Sequence, residues 1–145
     1  MSAYSENGDK TILVVEDDTD MNELICAVLT EAGYKTISVA SGEKGLEIAY
    51  KDKPDLVLLD ISLPKMDGIE VCRAISSSEV TKSIPVIMLT IHKELSIKLS
   101  SYIAGARRFI SKPFGVEELV GEINKTLRQS GIPQHVNNNL FDPRD

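Results

Sequence analysis

An α/β fold, with a parallel sheet covered by helices on both faces, is the architecture this sequence predicts, and three observations predict it. Short apolar runs alternate with longer amphipathic stretches five times within about 120 residues, the pattern of linked β/α units. The run Asp55–Leu59 is almost entirely apolar, as a strand buried on both faces must be. The chain has 145 residues, 42% hydrophobic and 26% charged, enough for one domain around one core.

Each element can be justified in turn. Thr11–Val15 reads as the first strand. Met21, Leu24, Ile25, Val28, Leu29 and Ala32 then recur at helical spacing, and Gly33 can stop that helix. Thr36–Val39 is a short second strand, and Ser41 can cap a helix burying Leu46 and Ala49. Asp55–Leu59 is the third strand, followed by Asp67 as the cap of a helix presenting Val71, Cys72 and Ile75. Ile84–Leu89 is the fourth strand. A weaker helical pattern from about Lys93 to Ala104 carries Leu95, Leu99 and Ile103. Arg107–Ile110 is the fifth strand, and Val116, Leu119, Val120, Ile123 and Leu127 form the most regular amphipathic helix, closing before Gly131. Residues 1–10 read as a flexible polar N-terminus and 11–129 as the folded domain. Residues 130–145, with Pro133, Asn137–Asn139 and Pro143, read as a linker or disordered tail, or a docking peptide around Leu140-Phe141.

Composition excludes several functions. A net charge of −6 argues against nonspecific binding to nucleic acid or an anionic membrane. No apolar run approaches the ~20 residues that span a bilayer. Cys26 and Cys72 fall in helical patterns without CxxC spacing and read as reduced core residues of a cytoplasmic protein. One stretch departs from the acidic balance. Lys93, Lys98, Arg107, Arg108 and Lys112 face only Glu94 between positions 93 and 112.

In a sheet of this class ligands bind beyond the carboxyl ends of the strands. Glu16-Asp17-Asp18 follows the first strand, Asp60 the third and Lys112 the fifth. The acids meet only if the first and third strands are neighbours, and an acid cluster with a lysine then suggests cation-assisted phosphoryl chemistry. Helix capping alone also accounts for acids after a strand, and Asp18 suits that role.

Four segments together carry a resemblance: Ile12-Leu13-Val14-Val15-Glu16-Asp17-Asp18, Asp55 to Gly68 with Asp60, Pro85-Val86-Ile87-Met88-Leu89-Thr90, and Phe109-Ile110-Ser111-Lys112-Pro113-Phe114. In order and spacing they resemble the receiver domain of two-component response regulators, over about residues 11–129. The resemblance implies a flavodoxin-like, doubly wound sheet of order 2-1-3-4-5 with five helices. It implies that Asp60 accepts a phosphoryl group from a sensor histidine kinase or a histidine phosphotransfer protein. Mg2+ (or Mn2+) would be held by Asp17, Asp60 and the Ser62 backbone carbonyl, with Glu16 acting through water. Lys112 would pair with Asp60 and then with the phosphoryl group, aimed by a cis Lys112–Pro113 bond. Thr90 and Phe109 would be the switch, moving the face made by the fourth helix, fifth strand and fifth helix towards a downstream protein target or effector domain. The domain would be no enzyme beyond self-phosphorylation and slow autodephosphorylation, and would not itself bind nucleic acid.

Some positions depart from the family pattern. Ile91 stands where a small residue is usual, which predicts slow phosphorylation by small donors. Ser62 and His92 fall at variable positions that tune hydrolysis, and His92 acts on water or merely faces solvent. His135 has no chemical role. Arg107-Arg108 replaces a pair that is often acidic in members dimerising through this face. The basic cluster then marks a surface for an acidic partner, or is a solvated strand edge. Two other readings compete: a constitutive interaction module that never turns over phosphate, and an aspartate-nucleophile phosphatase, for which Asp60-Ile61-Ser62 lacks the required second acid. No P-loop motif is present.

Overall fold

The computed structural model describes residues 9–130. Five strands, β1 (Thr11–Val15), β2 (Lys35–Val39), β3 (Leu56–Asp60), β4 (Val86–Thr90) and β5 (Arg108–Ser111), alternate with five helices: α1 (Thr19–Glu31), α2 (Gly42–Asp52), α3 (Gly68–Ser77), α4 (Leu95–Ile103) and α5 (Val116–Gln129). All strand pairs are parallel, in the order β2-β1-β3-β4-β5. The order reverses at β1, so β1 and β3 lie side by side, with Val15 opposite Leu59.

Strand periodicity divides the core. Leu13 and Val15 of β1, Val57 and Leu59 of β3, and Val86 and Met88 of β4 face Ala49 of α2 and Val71, Cys72 and Ile75 of α3. Their neighbours Ile12, Val14, Leu56, Leu58, Ile87 and Leu89 face Ile25 and Leu29 of α1 and Leu119 and Ile123 of α5. Successive strand side chains point to opposite faces, so a fully buried sheet needs both sets apolar.

Asp18, Ser41 and Asp67 cap α1, α2 and α3 by accepting from backbone amides, and Gly33 closes α1 at φ 98°. The fourth helix begins two residues later than its sequence pattern, with Glu94 at its N-cap in an extended conformation (ψ 139°) and without a side-chain cap bond. Pairing shifts β3, β4 and β5 one to two residues towards the site. Pro85 has no N–H for a ladder, and Asp60 becomes the last paired residue of β3, opposite Leu89.

Arg108 corrects the reading of an exposed basic pair. It is 8% exposed, donating from Nε to Thr126 Oγ1 (2.9 Å) and from Nη1 to Glu122 (3.4 Å), with a further bond to Gln129. The sequence showed two adjacent cations. The strand sends the second one under α5. Of the expected flexible N-terminus (1–10) and linker or tail (130–145), residues 1–8 and 131–145 lie outside the described residues. Among the described residues no helix is long and apolar enough to cross a membrane.

Candidate functional site

The carboxyl ends of β1, β3, β4 and β5 bring the expected residues to one place. Glu16 follows β1 and is 2% exposed. Its amide donates to the Val39 carbonyl at the end of β2 (3.1 Å). Asn22 of α1 donates to both the Glu16 carbonyl (2.9 Å) and the Val39 carbonyl (3.1 Å), tying two strand ends to one helix. Asp17, next along, is exposed. Carboxylate oxygens of Glu16, Asp17 and Asp60 all lie within 4.8 Å of one another.

Asp60 is buried at the end of β3, and its Oδ1 accepts from the Ser62 amide (3.1 Å). The loop folds back tightly: a Cβ on Gly68 would sit 2.2 Å from the Asp60 carbonyl oxygen, and the Gly68 amide donates to Ile61 (2.8 Å). Only glycine permits that approach.

Lys112 reaches in from the end of β5. The Lys112–Pro113 bond is cis, as the resemblance implied. Nζ donates to Glu16 Oε1 at 2.7 Å and lies 3.5 Å from Asp60 Oδ2. The expected partner was Asp60, yet the shorter contact is to Glu16. Burial raises the Glu16 carboxyl above its ordinary value, Lys112 and the Asp18 amide oppose that, and the Asp60 charge adds to it. For Lys112 burial pulls downward, but the Glu16 bond and the Asp60 charge outweigh it, so the ammonium is held more firmly than usual. Three carboxylates against one ammonium leave an excess negative charge, and the oxygen donor set suits a hard divalent cation.

Thr90, the last residue of β4, is fully buried, and its Oγ1 accepts from the His92 amide (3.0 Å). The Lys112 amide donates to the Thr90 carbonyl (2.7 Å). Phe109 lies on β5 opposite Met88, half-buried, with Lys98 Nζ 5.8 Å from its ring centroid. The His92 ring nitrogen is 3.9 Å from Glu94, and Ile91 is 66% exposed. Sequence reasoning missed Asn22 and the Glu16–Lys112 contact. Both depend on side chains crossing between elements far apart in the chain.

A family model for the response regulator receiver domain matches residues 12–124. Among curated relatives, the DNA-binding dual master transcriptional regulator RpaA of Synechocystis is 38% identical over 85% of this chain and 52% of its own length. The phosphate regulon transcriptional regulatory protein PhoB of Pseudomonas aeruginosa is 37% identical over 92% of this chain and 61% of its own. The chain thus spans about half to three-fifths of these relatives. Among solved structures, the BeF3-activated receiver domain of Klebsiella pneumoniae RstA is 31% identical with TM-score 0.75, covering 83% of this chain and all of that one (100%). The receiver domain of sensor histidine kinase PA1611 from Pseudomonas aeruginosa, solved with a magnesium ion in its active-site cleft, is 29% identical with TM-score 0.77, covering 82% and 98%. Motif order, strand order and these likenesses agree: the chain belongs to the receiver domains of two-component response regulators.

Proposed function

We propose that this domain accepts a phosphoryl group on Asp60 from a phosphohistidine of a sensor histidine kinase or phosphotransfer protein. The observation that carries the reading is the convergence of Glu16, Asp17 and Asp60 carboxylates within 4.8 Å of one another, with the Lys112 ammonium against Glu16 and Asp60. An Asp60 carboxylate oxygen attacks phosphorus, the new O–P bond replaces the P–N bond, and the donor imidazole leaves with a proton from solvent. Asp17 and Asp60, with Glu16 behind them and the Ser62 carbonyl beside them, would hold Mg2+ or Mn2+, which supplies charge neutralisation between carboxylate and phosphoryl oxygens when bound. Lys112 follows the charge from carboxylate to phosphoryl oxygen. The Thr90 hydroxyl, whose oxygen already accepts from His92, has its proton free to donate to the same group. Phe109 then turns inward, changing the face of α4, β5 and α5 that an effector domain or downstream protein reads. Hydrolysis of the acyl phosphate resets the domain slowly, and no other turnover is assigned to it.

Cys26 and Cys72 are both free, which fits a reducing compartment, the cytoplasm. Any DNA binding belongs to an effector outside these residues, since the chain's net charge is −6. Intact mass after incubation with Mg2+ and acetyl phosphate tests the proposal. An adduct of about 80 Da, one phosphoryl group, should form and be absent in Asp60→Asn. An adduct that persists in Asp60→Asn, or none in the wild type with either acetyl phosphate or a phosphorylated histidine kinase, would sink it.

A further inference from the structure

The half-buried Asn22 side chain leaves the first turn of α1 and crosses to two strand ends. Its Nδ2 donates to the Glu16 carbonyl (2.9 Å) and to the Val39 carbonyl (3.1 Å), while its Oδ1 accepts from Cys26 Sγ (3.4 Å). The thiol contact fixes which end of the amide faces the carbonyls, so both Nδ2 protons are directed at them. Val39 is the last residue of β2, paired with Val15, and its carbonyl also receives the Glu16 amide (3.1 Å). The ends of β1 and β2 and the start of α1 thus form one bonded unit.

The consequence falls on Asp17. The Glu16 carbonyl belongs to the peptide unit that ends at the Asp17 nitrogen, and that unit is planar. Holding its oxygen fixes the plane from which Asp17 leaves. Glu16 is held elsewhere too, its carboxylate by Lys112 (2.7 Å) and by the Asp18 amide (3.1 Å). Of these bonds the one from Asn22 acts on the plane that carries Asp17. Asp17 itself is exposed, so packing does little to hold it. Asn22 also lines, with Glu16, Asp17 and Ser38, a cavity of about 250 Å³, roomy enough for water to replace a shortened side chain. Losing the amide therefore frees the peptide without opening a void in the apolar core.

We propose that Asn22 is a positioning residue for the cation site: by fixing the Glu16–Asp17 peptide it makes the acid cluster rigid enough to favour Mg2+ over Ca2+. The inference rests on the cation reading of Asp17 and Asp60 above and adds the residue that sets its selectivity. Mg2+ demands near-ideal octahedral geometry, whereas Ca2+ accepts irregular arrangements of more ligands. A cluster whose members drift loses more for the small ion than for the large one. Asn22 touches no cation in this scheme and acts through the backbone that carries Asp17.

The test uses the full chain, with amide chemical shifts followed through separate MgCl2 and CaCl2 titrations and urea midpoints recorded beside them. Asn22→Ala should weaken Mg2+ binding about tenfold or more, the effect of removing a hydrogen bond that supports a metal ligand. Ca2+ binding should weaken by less than about threefold, since that ion tolerates displaced ligands. Asn22→Asp separates positioning from charge. It keeps the shape of the side chain but as a carboxylate cannot donate to either carbonyl. A site governed by nearby charge alone would bind Mg2+ more tightly with a carboxylate added, whereas a site that depends on the tie binds it less tightly. Thr81→Val is the stability control. It removes a buried 2.7 Å bond to the Ile75 carbonyl, ahead of β4 and so at the opposite end of the sheet. It should lower the urea midpoint and leave both cation affinities as they were. Unchanged Mg2+ affinity in Asn22→Ala, an equal loss for both cations, or tighter Mg2+ binding in Asn22→Asp would overturn the proposal. A parent chain that binds no Mg2+ would sink the cation reading and this inference with it, while a parent that binds beside indifferent Asn22 variants sinks this inference alone. The titrations decide without any phosphoryl donor, so intact mass reads the phosphoacceptor reading separately.

Discussion

Burial acts on ionisable side chains here in ways that partners either reinforce or reverse. Glu16 is raised chiefly by burial, while Lys112 is raised despite burial because two carboxylates face it. At Cys72 burial dominates, and Ser76 and the Arg73 charge oppose it without reversing it. The side chain is fully buried against Ala104, and burial pushes its thiol from 9.0 up to about 11. Because the folded value lies above the unfolded one, the stability this group contributes is fully present below pH 9 and is lost as pH rises towards 11. Urea midpoints at pH 8 and pH 11 should therefore differ, with about 2 kcal/mol of the loss traceable to this thiol. Cys72→Ala should flatten the slope by that amount while lowering stability at pH 8 through lost packing. An unchanged slope in the variant would refute the assignment. Residue identity at the site was legible in the chain, because Glu16, Asp17, Asp60, Thr90 and Lys112 each end or follow an apolar run. Which carboxylate Lys112 approaches more closely was not, since 2.7 Å against 3.5 Å is set by strand register and loop path.

Elements differ widely in how firmly they are tied down. Helix α5 is fixed to β5 by Arg108, whose bonds to Glu122, Thr126 and Gln129 span the helix's second half. Arg108→Ala leaves Glu122 partly buried with Lys125 as its remaining cation and takes the donor from the Thr126 oxygen, while the Thr126 hydroxyl still donates to the Glu122 carbonyl (2.7 Å). Stability should fall by about 2 kcal/mol in urea unfolding, while Arg107→Ala, at a half-buried position, should cost far less. The existence and type of every element could be read from periodicity. Boundaries could not: Asp60 joins β3 through its place opposite Leu89 in the ladder, and Glu94 is extended rather than helical (ψ 139°). The weak pattern at Lys93–Ala104 does foreshadow a helix with few buried residues. Amide exchange should be faster in α4 than in α1 or α3.

At the scale of the whole molecule, the site exists because the winding reverses at β1. Strands that are first and third in sequence become neighbours, and acids 43 positions apart (Asp17 and Asp60) come within 4.8 Å. The proposed cation would relieve their mutual repulsion. Mg2+ at a hundredfold its dissociation constant should raise unfolding free energy by about 2.7 kcal/mol, read as a rise in melting temperature. Asp17→Asn and Asp60→Asn should abolish most of that rise, and Asp60→Asn should melt higher than the parent without cation. Alternation of strands and helices predicts a parallel sheet. Strand order followed from family likeness alone, because nothing local in the chain says which strands are adjacent.

The single bond from the Lys112 amide to the Thr90 carbonyl, 2.7 Å long, makes one rung of two residues that the chain separates widely. Under the proposed chemistry, a Thr90 hydroxyl drawn towards an incoming phosphoryl group would carry the lysine's own backbone with it. The proton on that nitrogen should then report occupancy through its chemical shift, without any label on the substrate.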